Sequence, residues 1–203
     1  DADSSEDLQF QDDSFTAGLN FQYQNGGNCL KHGLQRMYEF TGGGVGVIDF
    51  DHDGRPDLFF PQGGEFRHRG NQMSVTDELW QNVSGAQWRS VADLARLNDA
   101  GFGQGVSVGD VDGDGFQELL VLNIGDNALW HNNGDGTFTH SREFETSAGE
   151  EWSLSGAIAD LDGDAIPEVF VANYLGGEDV FTRVCPDEQG VPRLTCQPYV
   201  FAP

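Results

Sequence analysis

Residues 49–57 read DFDHDGRPD, with Asp at positions 1, 3, 5 and 9 of the nine and Gly at position 6. Alternate side chains of a curling chain can converge on one centre, so carboxylates at odd positions offer a cage of oxygens. Glycine at the sixth position admits the positive φ that a sharp turn needs. The pattern returns at 110–118 (DVDGDGFQE) and at 160–168 (DLDGDAIPE), so the first aspartates are 61 and 50 residues apart. One such loop would be an acidic surface turn. Three in one register make a repeat.

The flanks of the loops carry the same register. Val47, Val108 and Ile158 stand two residues before the first aspartates, and the small residues Gly46, Ser107 and Ala157 stand three before. Leu58-Phe59-Phe60, Leu119-Leu120-Val121 and Val169-Phe170-Val171 follow the loops. Each loop therefore reads as the connection of a hairpin between two largely buried strands. Further strands are expected at 78–82 and 87–91 in the first unit, and at 128–131 and 136–139 in the second. The latter two are joined by Asn132-Asn133-Gly134-Asp135, residues that tolerate positive φ. Four strands per unit at this period indicate propeller blades.

The expected fold is all-β: a β-propeller of four-stranded antiparallel blades at about 42–92, 102–143 and 153–203, the last incomplete. Three blades cannot close a ring of about 4–8, so the array belongs to a larger propeller, expected to have seven blades. Gly101-Phe102-Gly103-Gln104-Gly105 reads as the small-residue start of a blade. Residues 1–13, with six acids, read as a solvated tail, 14–24 as one strand or two short ones, and 29–40 as holding a short helical turn.

Calcium takes about 6–8 oxygens, and each loop offers nearly that set. The first would supply Asp49, Asp51, Asp53, the carbonyl of Arg55, and Asp57. The second would supply Asp110, Asp112, Asp114, the carbonyl of Phe116, and Glu118. The third would supply Asp160, Asp162, Asp164, the carbonyl of Ile166, and Glu168. About three Ca2+ sites are expected. Magnesium demands a stricter octahedron, and zinc or copper would want His or Cys, which the pattern lacks. An EF-hand needs twelve residues between helices. Ala165 stands where the other loops have Gly54 and Gly115, and a left-handed alanine costs roughly 1 kcal/mol.

The net charge is −24, from 10 Lys+Arg against 34 Asp+Glu. Such a surface repels nucleic acid and anionic membrane, and no apolar run is long enough to insert into a bilayer. The first residues, DADSSEDLQF, fit a processed mature terminus.

Three stretches, GGGVGVIDFDHDGRPDLFF, GQGVSVGDVDGDGFQELLVLN and SGAIADLDGDAIPEVFVANY, resemble FG-GAP/VCBS repeats, the calcium-binding blades of integrin alpha-subunit propellers. With the GGGV start, the NNGDGTF hairpin and a cysteine insert after VANY, the chain is most similar to cartilage acidic protein-like (ASPIC/UnbV-type) proteins. That resemblance implies a secreted protein with structural calcium sites, and a periplasmic or cell-surface one in a bacterium.

Cys185 and Cys196 enclose ten residues with two prolines, and a disulfide is expected there. Cys29 would then be a buried thiol, a partner for a further segment, or a bridge to another chain. Asn82-Val83-Ser84 is a glycosylation sequon at an accessible strand end. The five histidines form no sequence cluster, and His52 and His131 read as solvated. No nucleophile elbow, HExxH or triad stands out. The expected role is non-catalytic: an extracellular, adhesion-type module binding protein or carbohydrate. The alternatives are a fragment or subunit of an assembly that completes the propeller, and the propeller domain of a secreted enzyme.

Overall fold

The computed structural model describes residues 9–26, 36–64, 75–141, 151–176, 183–193, 195 and 196. Cys29 and most of the acidic tail at 1–13 lie outside these residues.

The chain is all-β, with one turn of 3-10 helix at Met37–Glu39 and no α-helix among the described residues. The first repeat is a four-stranded antiparallel sheet of β1 (Gly46–Ile48), β2 (Asp57–Phe60), β3 (Glu78–Asn82) and β4 (Trp88–Ser90) in sequential order. The second has the same order in β5 (Phe102–Gly109), β6 (Glu118–Ile124), β7 (Ala128–Asn132) and β8 (Phe138–Ser141). The third contributes the hairpin β9 (Trp152–Ala159) and β10 (Glu168–Leu175), which touches the second sheet through Ile124↔Trp152. These are blades of an incomplete propeller. Registers agree across repeats: Leu58 pairs with Trp80 as Leu119 pairs with Trp130.

The repeats pack face to face because alternate residues of each strand are apolar. Ile48, Phe50, Phe59 and Leu79 of the first meet Leu119, Val121, Trp130 and Phe138 of the second in one core. The other face of the second sheet buries Leu120, Leu122 and Leu129 against Ile158, Val169 and Val171. Close approach needs small residues: a Cβ on Gly105 would lie 2.5 Å from the Leu154 carbonyl oxygen. β6 is buried along its whole length, as its apolar run requires. β9 and β10 are largely open, against the expectation of burial in every loop-flanking strand. Their outer side has no neighbour among the described residues, so Phe170 is 51% and Tyr174 45% exposed.

Residues 14–24 do not form the expected strand. Turns closed by Ala17 N–H to Asp13 O (2.9 Å) and Leu19 N–H to Ser14 O (2.9 Å) lead into an extended strap. Of the apolar residues that alternate with polar neighbours here, Leu19, Phe21 and Tyr23 are each partly buried, whereas Phe15 is exposed. The strap is held by other means than a ladder. Phe21 stacks on Phe60 at 4.4 Å, Tyr23 Oη donates to the Gly103 carbonyl (2.9 Å), and the Gln24 N–H donates to Gln62 Oε1 (2.6 Å).

A polar cap ends the second strand in both full repeats. Asp77 Oδ1 accepts the Gln62 N–H at 2.6 Å, and Asn127 Oδ1 accepts the Asn123 N–H at 2.8 Å. The two caps then differ. Asn127 Nδ2 donates to Ser153 Oγ of the third repeat (3.0 Å), whereas Asp77 Oδ2 is buried with no partner. Burial, and secondarily the charge of Asp99, hold the Asp77 carboxyl well above the usual carboxylate range.

Cys185 and Cys196 are disulfide-bonded around the short hairpin β11 (Cys185–Pro186) and β12 (Pro192–Arg193). The bond anchors this insert, because Cys196 packs with Tyr38, Phe102, Trp152 and Leu175. No helix of the described residues is long and apolar enough to cross a membrane.

Candidate metal centre

The three acidic loops fold on one hydrogen-bond frame. The position-1 carboxylate accepts the position-6 N–H at 3.0 Å in each: Gly54 to Asp49, Gly115 to Asp110, Ala165 to Asp160. The position-5 carboxylate accepts the position-7 N–H: Arg55 to Asp53 (2.9 Å), Phe116 to Asp114 (2.8 Å), Ile166 to Asp164 (2.8 Å). Short acidic side chains suit this task, since they reach backbone amides two to five residues on. The same contacts turn the position-7 amides inward to the loop carboxylates.

Two positions per loop need positive φ. At position 6 stand Gly54 (φ 80°), Gly115 (94°) and Ala165 (69°), and at position 4 stand His52 (57°), Gly113 (77°) and Gly163 (84°). The sequence shows the first requirement in its glycines. The second is visible only in hindsight, in the DGDG and DGDA spellings of the later loops. Only the second loop has glycine at both positions.

Position 9 turns inward and locks the hairpin. Asp57 accepts from Phe50 N–H (3.2 Å) and Asn82 N–H (2.7 Å), and Glu118 from Val111 N–H (2.7 Å) and Asn132 N–H (3.3 Å). Glu168 accepts from Leu161 N–H at 2.8 Å. Burial pushes Asp57 up to about 6, against the lowering effect of its two N–H donors. Burial raises Glu118 likewise.

Ligand atoms of Asp49, Asp51 and Asp53 lie within 4.8 Å of one another, as do those of Asp110, Asp112 and Asp114, and those of Asp160, Asp162 and Glu168. Asp57 and Asp164 fall outside these groups, and Glu118 joins Asp112 and His131 instead. The first loop fits a cation by a direct observation: Asp51 Oδ1 is buried with no hydrogen-bond partner. An anionic oxygen out of water with no donor costs free energy that a bound cation returns. The donors are all oxygen, the chemistry of a hard ion such as calcium.

Two residues of the third strand reach these loops, and the sequence hides both. Gln81 Nε2 donates to Asp51 Oδ2. At the equivalent place His131 is not free in solvent as expected, since its Nδ1 lies 3.2 Å from Asp112 Oδ2 and 3.4 Å from Glu118 Oε1. A residue 13 positions beyond the loop is brought in only by the β6–β7 pairing. In the first loop Arg55 also pairs with Asp53.

Asn82 is not at an accessible strand end. It is buried, its Nδ2 donates to the Pro56 carbonyl (3.2 Å), and its Oδ1 accepts the Gly85 N–H (2.5 Å). A glycan would replace one of the two hydrogens on that nitrogen and would need room at a side chain that is buried. Asn132 makes the matching turn, accepting the Gly134 N–H (3.1 Å), and its amide bridges to the Phe50 carbonyl of the first repeat (3.0 Å).

The FG-GAP-like repeat family matches residues 49–121 and 110–171, which together span 123 of the 203 residues. The chain belongs to this family. The two matches overlap at 110–121, which holds the second acidic loop and the start of β6. No curated protein matches the chain.

Proposed function

We propose that these FG-GAP repeats form a calcium-stabilised extracellular module that binds another protein or a glycan and performs no catalysis. The carrying observation is the orphaned, buried Asp51 Oδ1 inside a carboxylate cluster that recurs in every repeat. Asp49, Asp51 and Asp53, with Asp110, Asp112 and Asp114 and with Asp160, Asp162 and Glu168, would hold the ions. Calcium bound there neutralises carboxylates that otherwise repel and fixes each hairpin loop to its blade. The Cys185–Cys196 disulfide supports an oxidising, secreted setting. On this reading the chain is kin to cartilage acidic protein-like, ASPIC/UnbV-type secreted proteins.

Calorimetric titration of chelator-stripped protein with Ca2+ tests the reading. Saturable uptake approaching three equivalents is expected, and Asp51→Asn should remove one. Absence of saturable uptake would overturn it.

A second reading is favoured by the open faces at the two ends of the array. Val47 is 58% exposed on the first repeat, and Phe170 and Tyr174 are exposed on the third. Further blades, from other residues or other chains, would cover them. Native mass spectrometry of the 203-residue chain distinguishes the cases: a discrete multimer supports completion by other chains, and a 22.1 kDa monomer contradicts it.

A further inference from the structure

The second repeat carries a group that the nine-residue pattern does not contain. His131 Nδ1, Asp112 Oδ2 and Glu118 Oε1 lie within 4.8 Å of one another, with the histidine nitrogen 3.2 and 3.4 Å from the two oxygens. Four ligands around an ion with bonds of about 2.0–2.1 Å lie roughly 3.3–3.4 Å apart along the edges of the tetrahedron. The two histidine edges already have that length. The third side joins two carboxylates, which repel and which a shared dication would draw together.

We propose that His131, Asp112 and Glu118 form a mixed nitrogen–oxygen site for a divalent transition metal of the zinc class. Imidazole is a poor partner for a hard ion such as calcium and a good one for Zn2+. Three protein ligands leave the fourth position to water. Burial also suits the task. Glu118 is a fixed anchor, with its side chain 2% exposed, while His131 at 37% and Asp112 at 50% leave a path for the ion. Glu118 is oriented by the Val111 and Asn132 N–H groups, and such outer contacts hold a ligand in place.

The first repeat serves as an internal control. There Gln81 occupies the equivalent position and gives Asp51 an amide hydrogen bond. The first loop therefore has an all-oxygen ligand set, and the second has a choice. The proposal concerns the same second loop as the calcium reading and shares Asp112 and Glu118 with it, so zinc and calcium would compete there.

The test is titration of chelator-stripped protein with Zn2+ alone, by calorimetry and by NMR of the histidine ring nitrogens. His131→Gln puts the first repeat's residue into the second and keeps a donor for Asp112, so the fold is retained. His52→Gln controls for adventitious histidine binding. The expected result is one Zn2+ event that shifts the Nδ1 signal of His131, weakens at least tenfold in His131→Gln and survives in His52→Gln. No zinc uptake, zinc uptake without a shift at His131, or equal affinity in His131→Gln would overturn the proposal. Parallel Ca2+ titration separates the two readings. Zinc bound through His131 with no calcium uptake sinks the calcium reading alone, and the reverse sinks this one alone.

Discussion

The first and second acidic loops share a backbone and differ in almost everything that touches it. Both have the position-1 carboxylate on the position-6 amide and the position-9 carboxylate buried under the hairpin. The first has a non-glycine residue, His52, at positive φ, an Arg55–Asp53 ion pair, and Gln81 over Asp51. The second has Gly113, Phe116 and His131 at those places. Even the neighbouring tryptophans differ: Trp80 Nε1 donates to Glu78 (2.8 Å), and the buried Trp130 Nε1 has no partner because Ala128 stands where Glu78 does. The repeat therefore fixes the backbone frame of the loop, while third-strand residues and loop positions 4 and 7 change the strain and the groups around it.

The shared part should fail equally in both loops. Asp57→Ala and Glu118→Ala each leave two backbone N–H groups without their acceptor, and each should cost about 2–4 kcal/mol in denaturant unfolding. A near-zero cost in one of the pair would show that the common frame is only apparent.

That frame was open to reading because it is local. Carboxylates at odd positions, Gly54 and Gly115, and the apolar runs after each loop identify hairpins within a dozen residues. The positive φ of Ala165 (69°) follows from the same register. Features set by distant pairing were hidden. His131 and Gln81 meet the loops through the third strand, and Asn82 is occupied by its own turn. The strap at 14–24 has a strand's alternation, but its hydrogen bonds go to Gln62 and Gly103, which no spacing announces. The openness of β10 depends on what lies beyond the described residues, not on its apolar sequence.

The strand-end caps sharpen the comparison at the next level. Asp77→Asn copies Asn127 of the second repeat and removes the buried carboxylate, so it should stabilise the protein at neutral pH by about 1–2 kcal/mol. The sign with pH follows from the raised folded-state pKa of Asp77. Its contribution to wild-type stability is full below the unfolded value of 3.8 and is lost as pH rises through the higher folded value. Thermal melts across pH should show wild-type stability falling as pH rises above 3.8, a fall that is reduced in Asp77→Asn. Parallel profiles would contradict this.

The smallest effects concern strain. His52→Gly and Ala165→Gly should each stabilise by up to about 1 kcal/mol, and Gly113→Ala should destabilise by a similar amount. Open space surrounds the Cβ position at Gly113, so this last cost would be conformational and not steric. Chemical denaturation of the three variants reads all of these changes. A neutral Gly113→Ala would remove strain as the distinction between the first two loops.

The most direct measurement of the structural-calcium proposal is the melting temperature of chelator-stripped protein as Ca2+ is added back. Ions bound only to the folded loops raise it by mass action, continuously with ligand concentration. The expected result is a rise of many degrees that EGTA reverses and that Asp49→Asn and Asp110→Asn each diminish. A melting temperature indifferent to both Ca2+ and EGTA would mean that the acidic loops stand without metal, and would contradict the proposal.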